Sequence, residues 1–334
     1  MRKALLGGLI FLLLPALAAA DTEITLTFGG DCVLGTREEW VGTAGNFEEC
    51  VETNGMDWCF SGVSGLFLQD DLTLVNLECV LQDNNKGHNN TKQHTFRGKT
   101  AYTQMLTGAG IEAVNLANNH YIDYNSSGEE STKAALEAAG VEYCGYRNLF
   151  VYEQDGIKIG FGGCRETVFF EENNAYVYRD IQSLKEMGCD VIVYSCHWGT
   201  EYSPTHNAKQ ETMAQYAVNS GADIVVGTHP HVVQGVENLD GSAVLYSLGN
   251  LVFGGTHEMT TFDAVLAQAT LRFDEDGTYL GVLIELIPVL TSGSAPENDF
   301  RPVLADVQDA ARILSLVQDD SVLTVTQPMW FPAE

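Results

Sequence analysis

The sequence predicts an α/β domain whose functional groups stand at the ends of its strands. Short runs rich in β-branched residues alternate with helical segments along the 334 residues, a pattern typical of an α/β domain rather than of a helical bundle. Four helical segments end at a glycine that is followed by a strand-like run. Three of those four runs stop at residues with metal or proton chemistry, where open α/β sheets place their sites.

Each strand-like run can be assigned in chain order. Runs at 24–28 and 72–75 come first, the four helix-glycine-strand units span 102–116, 130–144, 181–195 and 211–226, and a last run covers 244–247. The second unit leads to no evident ligand. The polar groups that follow the other runs are, in order, Asp31, Glu78, Asn119 with His120, His197, His229 with His231, and Asn250.

The remaining segments complete one domain. Residues 38–62 and 82–94 are polar and predict surface excursions. Beyond Phe253, a turn at 274–277 predicts a hairpin and the spacing of apolar residues over 303–317 predicts a helix. We therefore expect a signal peptide at 1–20, a main domain over 21–255, and a C-terminal hairpin and helix over 256–334 packed on the same core.

The charge balance restricts the partners. The chain carries 45 acidic and 17 basic side chains, a net charge of −28. Nucleic acids and anionic membrane surfaces repel such a chain, so we expect no nucleic acid partner. The hydrophobic fraction of 45% is enough for a sizeable core and excludes a disordered polymer.

The first twenty residues are typical of a secretory signal peptide. Arg2 and Lys3 precede an apolar run at 4–14, which is shorter than the roughly 20 residues of a membrane-spanning helix, and alanines at 18–20 precede Asp21. We expect an exported protein that is extracellular, cell-wall-associated or periplasmic, with an uncleaved tether as the alternative. Without Arg2 and Lys3, 15 basic side chains face 45 acidic ones, a net charge of −30.

The eight cysteines contain no CxxC pair, which argues against a zinc ribbon or a thioredoxin-type site. Export makes disulfides available. The sequence does not determine their pairing, although Cys50 and Cys59 lie in one irregular stretch and could close a short loop.

Carboxylates and imidazoles together are the ligands that a pair of borderline divalent metal ions requires. The strongest local signal is His229-Pro230-His231, because a residue before proline favours extended backbone, in which residues i and i+2 point the same way. Two hydrogen-bonded loop histidines are the alternative. Singly, Asp31 could be a helix N-cap, Glu78 a solvated carboxylate and Asn119 a turn amide, but their joint position at strand ends favours a metal site.

Two further residues are candidates for substrate binding. The Arg97 guanidinium could grip phosphate or carboxylate with two hydrogen bonds, with a surface salt bridge as the alternative. Glu201 follows His197 by four residues and belongs to the same motif.

A set of motifs spanning roughly residues 25–253 resembles the CapA family, also called PgsA, of poly-γ-glutamate capsule synthesis. That family looks like a branch of the calcineurin-like metallophosphoesterases. The motifs are Gly30-Asp31 with Gly35, Asn76-Leu77-Glu78, Ala117-Asn118-Asn119-His120 with Asp123-Tyr124, His197-Trp198-Gly199 with Glu201-Tyr202, Gly221-Ala222-Asp223, Gly227-Thr228-His229-Pro230-His231, and Tyr246-Ser247-Leu248-Gly249-Asn250.

The resemblance implies a four-layer α/β/β/α sandwich, in which two mixed sheets are flanked by helices and a dinuclear centre lies at the strand ends. It implies two divalent ions, Mn or Zn, and a bridging position for Glu78. His120 would be a proton donor or a transition-state contact, with Asp123 orienting it. The implied metal ligands are Asp31, Glu78, Asn119, His197, His229 and His231.

The chain departs from the wider superfamily at its first motif. Asp31 is followed by Cys32 and Val33, without the imidazole of an Asp-x-His motif, and the bridging carboxylate is Glu78 rather than an aspartate. Two functions are therefore expected. One is a metal-dependent hydrolase acting on an anionic small molecule or polymer end during capsule or cell-surface polymer metabolism. The other is a non-catalytic subunit of a membrane synthase or export complex.

Overall fold

Two mixed β-sheets form the centre of the protein. The computed structural model describes residues 22–172, 174–256 and 258–333, so the predicted signal peptide lies outside the described residues. None of the helices in these ranges is long and apolar enough to span a bilayer.

The strands in chain order are β1 (Thr22–Val33), β2 (Thr36–Arg37), β3 (Leu72–Leu77), β4 (Val80–Leu81), β5 (Phe96–Gly98), β6 (Ala113–Asn115), β7 (Glu142–Cys144), β8 (Phe150–Gln154), β9 (Ile157–Arg165), β10 (Val191–His197), β11 (Ile224–Thr228), β12 (Val236–Leu239), β13 (Ser242–Leu245), β14 (Asn250–Phe253), β15 (Asp263–Phe273), β16 (Tyr279–Leu290), β17 (Val303–Leu304) and β18 (Met329–Pro332). The α-helices are α1 (Phe47–Asn54), α2 (Ser64–Phe67), α3 (Thr103–Ala109), α4 (Asn125–Ala139), α5 (Glu166–Glu171), α6 (Ala175–Glu186), α7 (Ala208–Ser220) and α8 (Val307–Asp319).

The first sheet has the order β17-β16-β15-β1-β3-β6-β7, with β14 beside β1 and β18 beside β16. Its strands β1, β3, β6 and β7 are parallel, whereas β15 and β16 run antiparallel to their neighbours. The second sheet has the order β12-β13-β11-β10-β9-β8, parallel at its centre and antiparallel at both edges. A small third sheet, β2-β5-β4, flanks the site.

Three hydrophobic clusters define the layers. Apolar residues of both sheets, such as Phe28 and Leu74 of the first and Phe161 and Val193 of the second, pack together between them. The outer face of the first sheet packs on α1 to α4, and that of the second on α5 to α7. Burial on both faces explains why the central parallel strands are almost continuously apolar. The predicted sandwich of two mixed sheets flanked by helices is confirmed.

The predicted helix-glycine-strand rhythm is also confirmed. Helices α3, α4 and α7 end at Gly110, Gly140 and Gly221, each with a positive φ that closes the last turn and redirects the chain into a strand. At its other end α7 has a capping box, in which Asn207 Oδ1 accepts from the Gln210 N–H and the Gln210 side chain accepts from the Asn207 N–H.

Two expectations about the surface and the cysteines were wrong. Residues 38–62 are more than a surface excursion, because α1 lies there and Phe47 and Phe60 are buried against the first sheet. All eight cysteines are free, so the bridge between Cys50 and Cys59 is not formed.

The end of α8 is fixed to the second sheet by one carboxylate. Asp320 Oδ2 accepts hydrogen bonds from the Gly235 N–H at 2.8 Å, from the His206 N–H at 3.1 Å and from His206 Nδ1 at 2.9 Å. The His206 ring stacks on Tyr246, with 3.8 Å between centroids, and its Nε2 lies 3.6 Å from Glu211. The bond to Asp320, opposed by burial and helped by Glu211 and Glu237, raises the pKa of His206.

We expect this contact to make stability fall as the pH rises. A folded-state pKa above the unfolded value stabilises the protein fully at pH below the unfolded value, and the stabilisation is lost as the pH rises through the folded value. Urea unfolding between about pH 6 and pH 8.5 should show this loss in the wild type and a smaller one in His206→Gln. Equal slopes in both proteins would contradict it.

Candidate metal centre

Asp31 is placed by a change of partner along β1. The strand pairs with β15 as far as Phe28 and with β14 from Asp31 onward, with a register shift between. A side chain at Gly30 would put a Cβ 1.9 Å from the Gly249 carbonyl oxygen, so only glycine allows this approach. The Asp31 N–H donates to that same carbonyl at 3.0 Å. The bulge aims the Asp31 carboxylate at the gap between the two sheets.

Glu78 follows β3 and is fully buried. Neither of its carboxylate oxygens receives a hydrogen bond within the part of the chain that the structure describes. Its Oε1 lies 3.5 Å from His197 Nε2. A buried carboxylate without a donor is costly, by several kcal/mol even after local relaxation, so this position requires a cation or a proton.

The histidines come from the second sheet. His197 ends β10, with Nδ1 3.1 Å from Thr228 Oγ1 and Nε2 2.7 Å from Asn119 Oδ1. His229 and His231 follow β11 with positive φ angles of 100° and 57°, so the predicted extended backbone before Pro230 was wrong. The chain turns instead, and the His229 N–H donates to Asp31 Oδ2 at 3.1 Å. This turn is strained, at a cost of about 1–3 kcal/mol per residue. It brings the His229 and His231 rings together, with 5.8 Å between their centroids.

His120 lies in the turn after β6 and is oriented by a carboxylate. Its Nδ1 is 2.7 Å from Asp123 Oδ2, which also accepts from the Phe96 N–H at 2.7 Å. The Phe96 ring packs on the imidazole with 4.2 Å between centroids. Lys92 binds the other Asp123 oxygen and the Asn119 carbonyl. These contacts fix one edge of the His120 ring and leave Nε2 for other partners.

Three neighbouring amides connect the ends of β1, β3 and β6. Asn76 Nδ2 donates to Asp31 Oδ1 at 2.7 Å, and Asn76 Oδ1 accepts from Asn115 at 2.9 Å and from Asn118 at 3.2 Å. The Asn118 amide also donates to the Leu77 carbonyl at 2.8 Å. The network is buried, so it holds the Asp31 carboxylate in one orientation without adding a charge.

The side chains form three groups whose ligand atoms all lie within 4.8 Å of one another: Glu78, His197 and His229; Asp31, Glu78 and His231; and Glu201, His229 and His231. Glu78 belongs to two of the groups, and so do His229 and His231. Asn119 Oδ1 lies next to the group of Glu78, His197 and His229, because it is 2.7 Å from His197 Nε2. These residues could hold a metal ion.

The electrostatics of the cluster suit metal ligation. Burial lowers the pKa of His229 to about 4 and that of His197 well below its ordinary value, so both rings are neutral ligands at neutral pH. Burial and the Asp31 charge raise the pKa of Glu78. Burial alone would raise the pKa of Asp31, but His231 and Asn76 hold it below its usual value. The pKa of His231, which burial would lower, is raised by Asp31.

The two candidate substrate-binding residues have different surroundings. Arg97 on β5 donates to Glu38, to the Tyr124 hydroxyl and to the Gln82 carbonyl, at 3.3–3.4 Å. This is the salt-bridge arrangement weighed as its alternative. Glu201 is exposed and lies with His229 and His231 in one of the three ligand groups.

Sequence reasoning missed two features of the site. Asn76 occurs in a motif singled out above, but its contact with Asp31 joins residues 45 positions apart. Arg165 ends β9 and lines a cleft with Asn119, His197 and His229. Its signal was available in the sequence, because a basic residue directly follows the buried strand run of β9.

Comparison with known proteins places this site in a family. Residues 25–255 match the family model described as "Bacterial capsule synthesis protein PGA_cap". The chain is 27% identical to the capsule biosynthesis protein CapA of Bacillus anthracis, over 85% of this chain and 71% of the relative. It is 26% identical to the PGA biosynthesis protein CapA of Bacillus subtilis, over 78% of this chain and 71% of the relative.

Among solved structures, a hypothetical protein of Thermus thermophilus matches 79% of this chain and 99% of its own, with a TM-score of 0.48 and 16% identity. The family match covers every residue of the cluster, from Asp31 to His231. The chain therefore belongs to the PGA_cap family of bacterial capsule synthesis proteins, whose wider context is the metallophosphoesterase superfamily.

Proposed function

We propose that this protein, which belongs to the machinery of capsule or poly-glutamate synthesis, is an exported metal-dependent hydrolase that processes a phosphoester or amide bond of an anionic small molecule or a polymer end. One observation carries the proposal: the buried Glu78 carboxylate receives no hydrogen bond from the described residues and belongs to two of the three candidate ligand groups. A divalent cation at each group would compensate the charge of Glu78 and Asp31.

The residues fit two divalent ions, with Mn and Zn as the favoured identities. Glu78, His197, His229 and Asn119 would hold one ion, and Asp31, Glu78 and His231 the other, with Glu201 adjacent. Bound divalent ions supply Lewis acidity and activate water at neutral pH. The protein contributes the orientation of the ligands, through Asn76 for Asp31 and Thr228 for His197.

His120 would transfer the proton in the reaction. Its burial lowers the pKa, opposed by Asp123, and Asp123 fixes the ring at Nδ1. The free edge of the imidazole can then transfer a proton to or from a bound substrate.

A non-catalytic role is the second candidate, and the first motif favours it. Cys32 and Val33 are fully buried in the hydrophobic cluster on the outer face of the first sheet, so no imidazole is available where the superfamily motif has one. In that role the protein would stand outside the cell beside a membrane synthase, with the metal as a structural element.

Export is part of the proposal. The signal-like residues 1–20 support it, and the proposed location is extracellular, cell-wall-associated or periplasmic. We expect the N-terminus of the protein recovered outside the cytoplasm to be Asp21. Edman sequencing of that material checks this, and a chain that starts at Met1 would show an uncleaved tether instead.

Metal stoichiometry tests the centre before any substrate is known. Elemental mass spectrometry of the untagged protein, purified without chelators, should give about two divalent ions per chain, and the double variant His229→Ala with His231→Ala should lose them. A matched control removes His88 and His94, two histidines of the 82–94 segment that belong to none of the ligand groups. Absence of metal from the wild type would exclude the metalloenzyme.

Turnover of His120→Ala separates the two functions. With p-nitrophenyl phosphate and a γ-glutamyl anilide as probes, we expect kcat to fall about 10²–10⁴-fold, with metal content and melting temperature unchanged. In Asp123→Asn, kcat should fall less, because the variant keeps the His120 ring in place but orients it less firmly. If cells carrying His120→Ala make normal amounts of polymer and neither probe is hydrolysed by the wild type, the non-catalytic role holds.

A further inference from the structure

Arg165 brings a positive charge to the edge of the ligand cluster. It is the last residue of β9, and its partner across the parallel pair with β10 is His197. With His197, His229 and Asn119 it lines a cleft of about 130 Å³, which has room for several water molecules. A group that reaches the two histidines through this cleft therefore passes the guanidinium.

No carboxylate in the described part of the chain neutralises the charge of Arg165. Five arginines of the described ranges pair with a carboxylate within 4.0 Å, namely Arg37, Arg97, Arg272, Arg301 and Arg312. Within those ranges, no carboxylate oxygen lies that close to the Arg165 guanidinium. In a chain with 45 acidic and 17 basic side chains, such a cation beside a buried cluster is available to a ligand.

The neighbouring residues position the guanidinium rather than neutralise it. Arg165 Nε donates to Thr167 Oγ1 at 2.5 Å, and the guanidinium also interacts with the Tyr146 hydroxyl, so two uncharged oxygen groups orient the planar group. The adjacent Glu166 binds elsewhere, with Oε1 3.1 Å from Lys209 Nζ and Oε2 accepting from the Gly199 N–H at 2.9 Å. A guanidinium has five N–H donors, so Arg165 retains donors beyond those directed at Thr167 and Tyr146, and these can bind an oxyanion.

We propose that Arg165 binds an anionic oxygen group of the substrate, a phosphate or a carboxylate, beside His197 and His229. The inference rests on the proposed function in that it places the substrate at the proposed metal ligands. It assigns to Arg165 the contact that the sequence suggested for Arg97, whose donors are taken by Glu38, Tyr124 and the Gln82 carbonyl.

Isothermal titration of the full-length mature protein tests this assignment with two probes, inorganic phosphate and a γ-linked glutamate dipeptide, in metal-free and manganese-loaded protein. We expect Arg165→Gln to weaken the binding of one probe about 10- to 100-fold. Arg165→Lys should lose part of that affinity, because it keeps the charge without the planar fork. Phosphate weakened alone indicates a phosphoester substrate, and the dipeptide weakened alone indicates a carboxylate.

Arg179→Gln is the matched control. Arg179 is exposed on α6, in the outer helix layer, and its loss changes the net charge by the same amount. Affinity unchanged in Arg165→Gln, or lowered equally in Arg179→Gln, overturns the inference. The inference is also overturned if only Arg97→Gln loses affinity for the probes, or if the wild type binds neither probe.

The outcome is separable from that of the proposed function. If the wild type holds no metal yet binds a probe in a manner that depends on Arg165, the hydrolase proposal fails and this inference stands. If the wild type holds its metal and binds a probe with the same affinity as Arg165→Gln, this inference fails alone.

Discussion

The close burial of Asp31 and Glu78 is the constraint on which the rest of the site depends. Both carboxylates are fully buried, yet only Asp31 is compensated, by Asn76, by His231 and by the N–H of His229. Glu78 receives no such donor from any residue that the structure describes. Two adjacent carboxylates cannot both be ionised in a protein interior unless a cation joins them. Burial lowers the pKa of His197 and His229 beside Glu78, so these two rings supply no positive charge, and the position could hold a metal ion.

The fold supplies this arrangement by converging strand ends from two sheets. Asp31, Asn76 and Glu78 lie on or just beyond β1 and β3. His197 is the last residue of β10, and His229 follows β11. The sheets meet through an apolar layer, so the polar groups are confined to one edge. The glycine contact between Gly30 and Gly249 and the strained His229 turn are local costs, and the packed sandwich stabilises both.

The alternation of helices and strands and the ligand types could be predicted because both follow from local pattern, whereas the four-layer arrangement was implied by the family resemblance. Helix-ending glycines such as Gly110 and buried runs such as that of β10 are visible within a few residues. Contacts between distant segments cannot be seen in such a short stretch of sequence. Arg97 looks like an anion-binding residue until its partner Glu38, 59 residues away, is known. The reverse holds for Arg165. The sequence shows a basic residue at the end of a buried strand run, but its place beside His197 follows only from the pairing of β9 with β10. The left-handed turn at His229 also depends on Asp31, across the sheet interface.

Charge decides how such a site can serve a polyanionic product. A surface with 45 acidic and 17 basic side chains repels a poly-glutamate chain over a distance of about 8 Å at physiological salt. Attraction is therefore confined to the cleft, where Arg165 and bound divalent ions would act at short range in a partly buried setting. A site of this kind would bind one anionic group rather than an extended stretch of polymer. In the proposed function, the protein would therefore act at a chain end or on a small precursor, whether it cleaves the bond or presents it to a partner.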